Sequence, residues 1–344
     1  VIGQILVPAT AANALIFALL SILLVAKKLG RTRREQASSV RRERFRTLLE
    51  AAGEGAWARI SAEARGSAEA MGDLLAVLLD PAWRARARAC SGSEPFSAAR
   101  VGEIAASDAS RRGRAALVLG CLSPPDAPRL LEPMLRDVDY DVRHAVIRAL
   151  VLTEHEHAAW SLVRGLRDDL VPYERVLEHL GPWAAEAFAE ALHIGELRPI
   201  RAIIAEGLGF CEDVHAGPAI AGVLSRGDEE ERIRACRAIG RTGDPRLGVY
   251  LTKALHDHAW TVRAQAAASL ARLGNAVPDA IEELSQLLSD QAWWVRANAA
   301  EALLAAGPAG IEALRTAAHS QDRFARERSR EALEIHAVRA RAAA

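Results

Sequence analysis

Residues 257–274 read DHAWTVRAQAAASLARLG, and residues 290–307 read DQAWWVRANAAEALLAAG. Both open on Asp, continue to Ala-Trp and Val-Arg at the same offsets, and close on Gly. In the first, Val262, Ala266, Leu270 and Leu273 recur at three- and four-residue steps, the pattern of a helix with one apolar face. Gly274 stops it. Upstream, Pro245 opens an earlier helix in which Leu247, Leu251, Ala254 and Leu255 form a second stripe. Asp257 falls at the turn between the two. Its carboxylate is expected to satisfy free N–H groups at the start of the second helix. The next unit repeats this with Pro278, Asp290 and Gly307, and no alternating strand pattern intervenes.

The phrase recurs along the chain. Residues 80–86 read DPAWRAR, and Asp-x5-Arg also fits Asp108–Arg114, Asp137–Arg143, Asp169–Arg175, Asp228–Arg234 and Asp322–Arg328. Gly195–Arg201 keeps the spacing without the carboxylate. The arginines are then Arg86, Arg114, Arg143, Arg175, Arg201, Arg234, Arg263, Arg296 and Arg328, separated by 26 to 33 residues. One such match means nothing. A near-register series marks stacked helix pairs, each of which buries its apolar face only against its neighbours. Composition agrees: 71 alanines and only 5% aromatic residues suit closely packed helices and not a sandwich or barrel.

These units resemble HEAT repeats, in particular the short phycobilisome-lyase variety, through the turn Asp and the Val-Arg that follows. The resemblance covers about 67–340. It implies an all-α, right-handed α-solenoid of about nine HEAT-like helix pairs, with second helices lining the concave face. It also implies an Asp–Arg ladder that joins neighbouring repeats. The missing Asp at Gly195, with flanking spacings of 32 and 26, predicts a kink near 169–201. Residues 45–66 read as a lead-in that covers the first repeat, and 323–341 as a polar closing cap.

Residues 1–26 carry no charge (VIGQILVPATAANALIFALLSILLVA) and are followed by KKLGRTRR. Roughly 20 apolar residues cross a bilayer core. Basic residues after the run, not before it, distinguish an anchor from a cleaved leader. The expected division is a transmembrane anchor over 1–28, a basic juxtamembrane helix and N-terminal cap over 29–66, and the solenoid over 67–344. The positive-inside rule puts the repeats in the cytoplasm of a bacterial inner membrane, with the N-terminus outside. Nine basic residues against Glu35 and Glu43 give 27–46 a charge of +7. With 44 basic and 44 acidic residues in all, the remainder is −7. Arg31–Arg46 are expected near anionic headgroups, with Lys27, Lys28, Arg31, Arg33 and Arg34 as the headgroup contacts. Within the anchor, Ala11, Ala14, Ala18 and Ser21 share one small-residue face suited to a partner helix. Asn13 adds a polar group that prefers a hydrogen-bonding neighbour to lipid.

Chemistry is sparse. Cys90, Cys121, Cys211 and Cys236 are scattered and form no C-x-x-C, so they read as core residues of a reducing compartment. His155-Glu156 partly resembles the His-Glu pairs of deoxyhypusine hydroxylase, a HEAT-repeat di-iron enzyme. One pair cannot supply that ligand set, so no metal or cofactor is expected. No G-x-S-x-G, P-loop or G-x-G-x-x-G is present. The acidic body holds a single lysine, Lys253, and offers no basic face for nucleic acid. Trp83, Tyr140, Trp260 and Trp293 each stand three residues after an Asp. They either pack between turns, the preferred reading, or anchor a partner along one edge. Trp293 and Trp294 are consecutive and so cannot be equally buried. The sequence therefore points to a non-catalytic, membrane-anchored scaffold or accessory subunit of an integral membrane complex. Its rivals are a HEAT-fold enzyme (a metal-dependent hydroxylase or pigment lyase) and a receptor for a soluble cytoplasmic partner.

Overall fold

The computed structural model describes residues 27–28, 31–51, 55–90, 94–213, 216–274 and 278–343, and contains no strand among them. The chain divides into two compact units, Val1–Pro125 and Asp126–Ala344. No helix of the described residues is long and apolar enough to cross a membrane. The stretch 1–26 lies outside the described residues, and with it Ala11, Asn13, Ala14, Ala18 and Ser21.

The first unit runs α1 (31–51), α2 (Ala56–Arg65), α3 (Ala68–Leu78), α4 (Pro81–Ala89), α5 (Glu94–Glu103) and α6 (Ala109–Leu122). Here α3 pairs with α4 and α5 with α6, and α1 and α2 precede the pairs. Phe45 and Leu49 of α1 are fully buried. Beside them the basic run divides. Arg41 and Arg42 donate to Asp73 of α3 at 2.7 and 3.1 Å, and the Ser38 hydroxyl donates to the same carboxylate. Burial alone would raise the Asp73 carboxyl; the bonds from Ser38, Arg41 and Arg42 outweigh it and hold the group below the usual carboxylate range. Arg44 pairs with Glu63 at 3.1 Å, and Arg46 lies over Trp83. Within the stretch Arg31–Arg46 the basic residues thus have two different environments. The arginines from 41 onward hold α1 on the unit, because a helix that buries Phe45 and Leu49 must bring its flanking guanidiniums against α3 and α2. Lys27, Lys28, Arg31, Arg33 and Arg34 stay exposed, Arg31 paired with Glu35.

In the second unit α7 (Ala127–Leu131) runs into a 3-10 turn and pairs with α8 (Tyr140–Thr153). After α9 (Glu156–Arg167) two 3-10 turns, Tyr173–Arg175 and Leu177–His179, stand where a second helix belongs. Four regular pairs complete the unit after α10 (Pro182–Ala191) with α11 (Arg201–Leu208): α12 (Ala216–Arg226) with α13 (Glu229–Thr242), α14 (Gly248–Ala254) with α15 (Trp260–Leu273), α16 (Ile281–Gln286) with α17 (Trp293–Ala305), and α18 (Pro308–Ala317) with α19 (Arg323–Ala343). The second helices α11, α13, α15, α17 and α19 pack in succession. The disrupted repeat falls where the spacing was irregular. Asp169 takes a left-handed backbone, Pro172 follows, and Gly181-Pro182 closes the segment before an α-helix can be completed.

Both stripes read from 245–274 are buried. Small residues set the separation of helices. A Cβ on Gly310 of α18 would sit 1.9 Å from the Leu303 carbonyl oxygen of α17, so only glycine admits this approach.

The turn aspartates belong to two registers. Asp80, Asp108 and Asp228 are true N-caps, accepting from the backbone N–H of Ala82, Arg111 and Glu231 at 3.0, 2.8 and 3.0 Å. Asp257 and Asp290 stand two residues further upstream. They accept from Ala259 and Ala292 at 2.9 and 2.8 Å, the residues at the N-cap positions of α15 and α17, which have no side-chain cap. The expectation that Asp257 caps α15 is therefore corrected: it closes the turn ahead of the helix, being too far upstream to reach the first-turn amides. Asp137-Val138-Asp139 fills both registers, and Asp139 caps α8.

The arginine that matters stands four residues after the N-cap position. Arg112, Arg143, Arg263, Arg296 and Arg326 each fold Nη1 back onto a turn carbonyl, at 2.9, 2.8, 2.8, 2.7 and 2.8 Å. Where the Asp is itself the N-cap, Asp-x5-Arg selects the residue two places too late, as with Arg114, Arg234 and Arg328. The remaining donors reach the next repeat only where a carboxylate awaits them. Arg232 meets Asp257 at 2.7 and 3.0 Å, and Arg263 meets Asp290 at 2.8 and 3.1 Å. After α17 the equivalent turn position is Ser320, and Arg296 lies over Phe324 instead, 4.4 Å from its centroid. Other rungs use glutamates: Arg201–Glu231 and Arg234–Glu206, both at 2.6 Å.

Candidate protein-contact edge

The register explains where the aromatic side chains fall. Tyr140, Trp260 and Trp293 are the first residues of α8, α15 and α17. Trp83 is the third residue of α4, because Asp80 caps that helix directly and Pro81 occupies its first position. Trp83 thus leaves the series; it is half-buried under Arg46 and Arg86. The remaining members are not packed between turns. Tyr140 is 58% exposed, Trp260 46%, Trp293 48% and Trp294 58%. A first-turn side chain projects beyond the body of its neighbours, which is why the packing expectation fails.

The helix order brings only some of them together. Since α15, α17 and α19 pack in succession, Trp260, Trp293, Trp294 and Phe324 occupy the first turns of consecutive helices. Trp293 and Trp294 meet edge to face with centroids 4.7 Å apart, so neither is buried at the other's expense. Arg328 stacks over Trp293 at 5.2 Å and Arg296 over Phe324 at 4.4 Å. Phe324 is 47% exposed. The result is a run of exposed aromatic side chains along the first turns of neighbouring helices, two of them under guanidiniums. Tyr140 stands apart, against His144 on α8 and under Arg143. The helices between, α11 and α13, open on Arg201 and Glu229.

Phe324 lies outside the Asp-x2-Trp spacing because it follows Asp322 by two residues, whereas Trp260 and Trp293 follow Asp257 and Asp290 by three. Its signal was the guanidinium of Arg296, which has no turn carboxylate ahead of it.

The polar clusters serve structure. His155 caps α9, its Nδ1 accepting from the His157 N–H at 3.0 Å. His157 approaches Glu132, which also takes a two-pronged contact from Arg164 at 2.7 and 2.9 Å. No group of three or more His, Cys, Asp or Glu among the described residues is placed to hold a metal ion. Glu206, nearly buried, gathers Arg234, Arg237 and Arg241.

Comparison with known proteins agrees with the repeat geometry. The family described as HEAT repeats matches residues 185–271, 216–304 and 250–334. No curated protein matches the sequence. Among solved structures, an engineered protein is 19% identical, with 86% of this chain and 95% of that one covered and a TM-score of 0.35. Human deoxyhypusine hydroxylase in complex with glycerol is 20% identical, covering 71% and 96%, with a TM-score of 0.30. The CpcE–CpcF complex of phycocyanin lyase from a Nostoc species is 19% identical, covering 70% and 87%, with a TM-score of 0.28. Residues 185–334 thus match HEAT repeats, and the described residues form an all-helical solenoid suited to protein–protein contacts.

Proposed function

We propose that this chain is a non-catalytic scaffold or accessory subunit that holds an integral membrane complex, tethered by 1–28 on the cytoplasmic side of a bacterial inner membrane. The observation that carries the reading is the cluster of Trp293, Trp294 and Phe324 under Arg328 and Arg296. Large aromatic rings exposed side by side are costly unless a partner covers them, and Trp and Arg are the residue types that dominate contact energies. The tether rests on the uncharged run 1–26 and on the exposure of Lys27, Lys28, Arg31, Arg33 and Arg34. None of these five is used in packing, and all but Arg31, which pairs with Glu35, stay free of side-chain ion pairs among the described residues and so available to anionic headgroups.

Co-purification from membranes in a mild detergent tests the reading. Trp293→Ala with Trp294→Ala should strip the bound partner while leaving the melting temperature and membrane association unchanged. Ala14→Leu with Ala18→Leu asks separately whether the tether itself touches a partner helix. If the Trp pair is replaced and the same partners are recovered in the same amounts, the edge is not the contact surface.

A further inference from the structure

The first unit holds a charged cavity that neither the repeat architecture nor the proposed scaffold role uses. It is about 430 Å³ in volume and lies between the end of α2, the first turns of α3, the second half of α5 and the first half of α6. Four guanidiniums line it, those of Arg65, Arg100, Arg111 and Arg114, against one carboxylate, Glu103. A single oxygen of Glu103 already receives two of them, Arg100 at 3.1 Å and Arg111 at 3.2 Å. Neither Arg65 nor Arg114 has an ion pair among the described residues. Arg65 donates to the Ser61 carbonyl at 3.1 Å, and Arg114, placed by sequence spacing in the ladder, has no rung to join.

Arg100 makes the cavity more than a surface patch. It is 4% exposed, lies over the Phe96 ring at 5.0 Å, and its Nε has no acceptor among the described residues. A buried donor left without an acceptor is costly, and a buried charge more so. Burial pushes the Arg100 guanidinium down; Glu103 offsets this in part, and the Arg111 and Arg65 charges push it down again. The lining is thus short of negative charge. The opening residues of α3, with Ser67 as its cap, add the positive end of a helix at the wall.

We propose that this cavity binds a phosphomonoester, with Arg65, Arg100, Arg111 and Arg114 around the phosphate and the α3 N-terminus beside it. The class follows from charge and shape. Four cations against one anion leave an excess of three, which a dianion meets better than a single carboxylate. Guanidinium forks match the edges of a phosphate. The volume exceeds one phosphate, and Met71 and the small apolar wall around it leave room for an organic body. Such a group can arrive on a soluble metabolite or on the headgroup of phosphatidic acid.

The test uses the full chain in a non-ionic detergent, with ionic strength held constant by chloride. Glycerol 3-phosphate is titrated by calorimetry, succinate serves as the dianionic carboxylate probe, and phosphatidylcholine vesicles with and without phosphatidic acid are assayed by flotation. Saturable binding of glycerol 3-phosphate, weakened at least tenfold in both Arg65→Gln and Arg114→Gln, is the expected result. Both residues are at least partly exposed, so both variants should keep the wild-type melting temperature. Arg315→Gln with Arg339→Gln, exposed arginines outside the cavity, should leave the affinity unchanged. Binding only to phosphatidic acid vesicles, with the same dependence on Arg65 and Arg114, identifies the ligand as the lipid headgroup. The proposal is overturned if neither phosphate source binds, if succinate binds as tightly as glycerol 3-phosphate, or if the loss follows Arg315 and Arg339.

Discussion

Replacing Arg263 with alanine removes four hydrogen bonds at once: two to Asp290, at 2.8 and 3.1 Å, and two to the carbonyls of Asp257 and His258, at 2.8 and 3.2 Å. Asp290, 8% exposed, would be left with the Ala292 N–H as its remaining donor. Breaking a buried pair from one side costs about 3–5 kcal/mol. Arg263 is itself 19% exposed, so water can enter after truncation, and we take the lower end, about 3 kcal/mol. For a cooperative unit of this size each kcal/mol shifts the melting point by about 2–4 °C, giving a fall of about 6–12 °C. Arg296→Ala loses two carbonyl contacts and a ring contact but orphans no carboxylate, so its fall should be less than half as large. Arg339→Ala, 3.9 Å from Glu301 on the exposed side of α19, should leave the melt unchanged. Thermal and urea unfolding followed by circular dichroism measure all three. The decisive comparison is a double-mutant cycle with Asp290→Ala. If the double variant loses the sum of the two single losses, or if Arg263→Ala melts with Arg339→Ala, the inter-repeat rung carries no energy and the reasoning fails.

Three further outcomes are expected. Gly310→Ala drives a methyl against the Leu303 carbonyl and should destabilise by about 1–3 kcal/mol, whereas an Ala at solvent-facing Gly102, where a Cβ meets nothing within 4 Å, should not; equal melts would refute the close approach. All four cysteines are buried, and burial pushes the Cys211 and Cys236 thiols up to about 12, so a thiol reagent at about pH 8 should label none until the chain is unfolded. The Asp257 carboxyl is raised by burial but held below its ordinary value by the bonds from Arg232 and the Ala259 N–H. A depressed carboxylate contributes stability above its unfolded pKa and loses it as pH falls through the folded one. Stability should therefore decline as pH drops below about 4, and Asp257→Asn should flatten that decline. An unchanged acid limb would exclude Asp257 as a contributor.

Much of the fold was legible because burial imposes periodicity. The stripes at Leu247–Leu255 and Val262–Leu273 could face only a core, and they do. The irregular spacing around Gly195 marked the repeat whose second helix is missing. Register was not legible to the same depth. A carboxylate at the N-cap and one two residues upstream both satisfy Asp-x5-Arg, yet they do different work, and only the backbone geometry separates them. For the same reason Trp83 was grouped with Trp260 although it sits two positions deeper in its helix. Trp293 and Trp294 are exposed although apolar character favours burial, because the first turn of a helix projects outward. Of the two readings the sequence leaves open, only the backbone geometry selects the exposed one. The arginine cavity lay hidden for another reason: its residues come from four helices and share no spacing.

The two 3-10 turns at 173–179 divide the second unit as a weak coupling divides a row of linked oscillators. In a linear array each repeat is stabilised through its interfaces with its neighbours, and cooperativity extends only as far as those interfaces are strong. α11 through α19 share continuous helix-to-helix contact, whereas α8 meets no full second helix on its downstream side. Unfolding that begins at the outer end of α19 can therefore run back to α11 and halt there. In hydrogen-exchange terms, amides of α13, α15 and α17 should open together, and those of α8 on a separate clock. The defect thereby protects one block from the failure of the other, and a partner gripping the aromatic edge would stiffen only the block it holds.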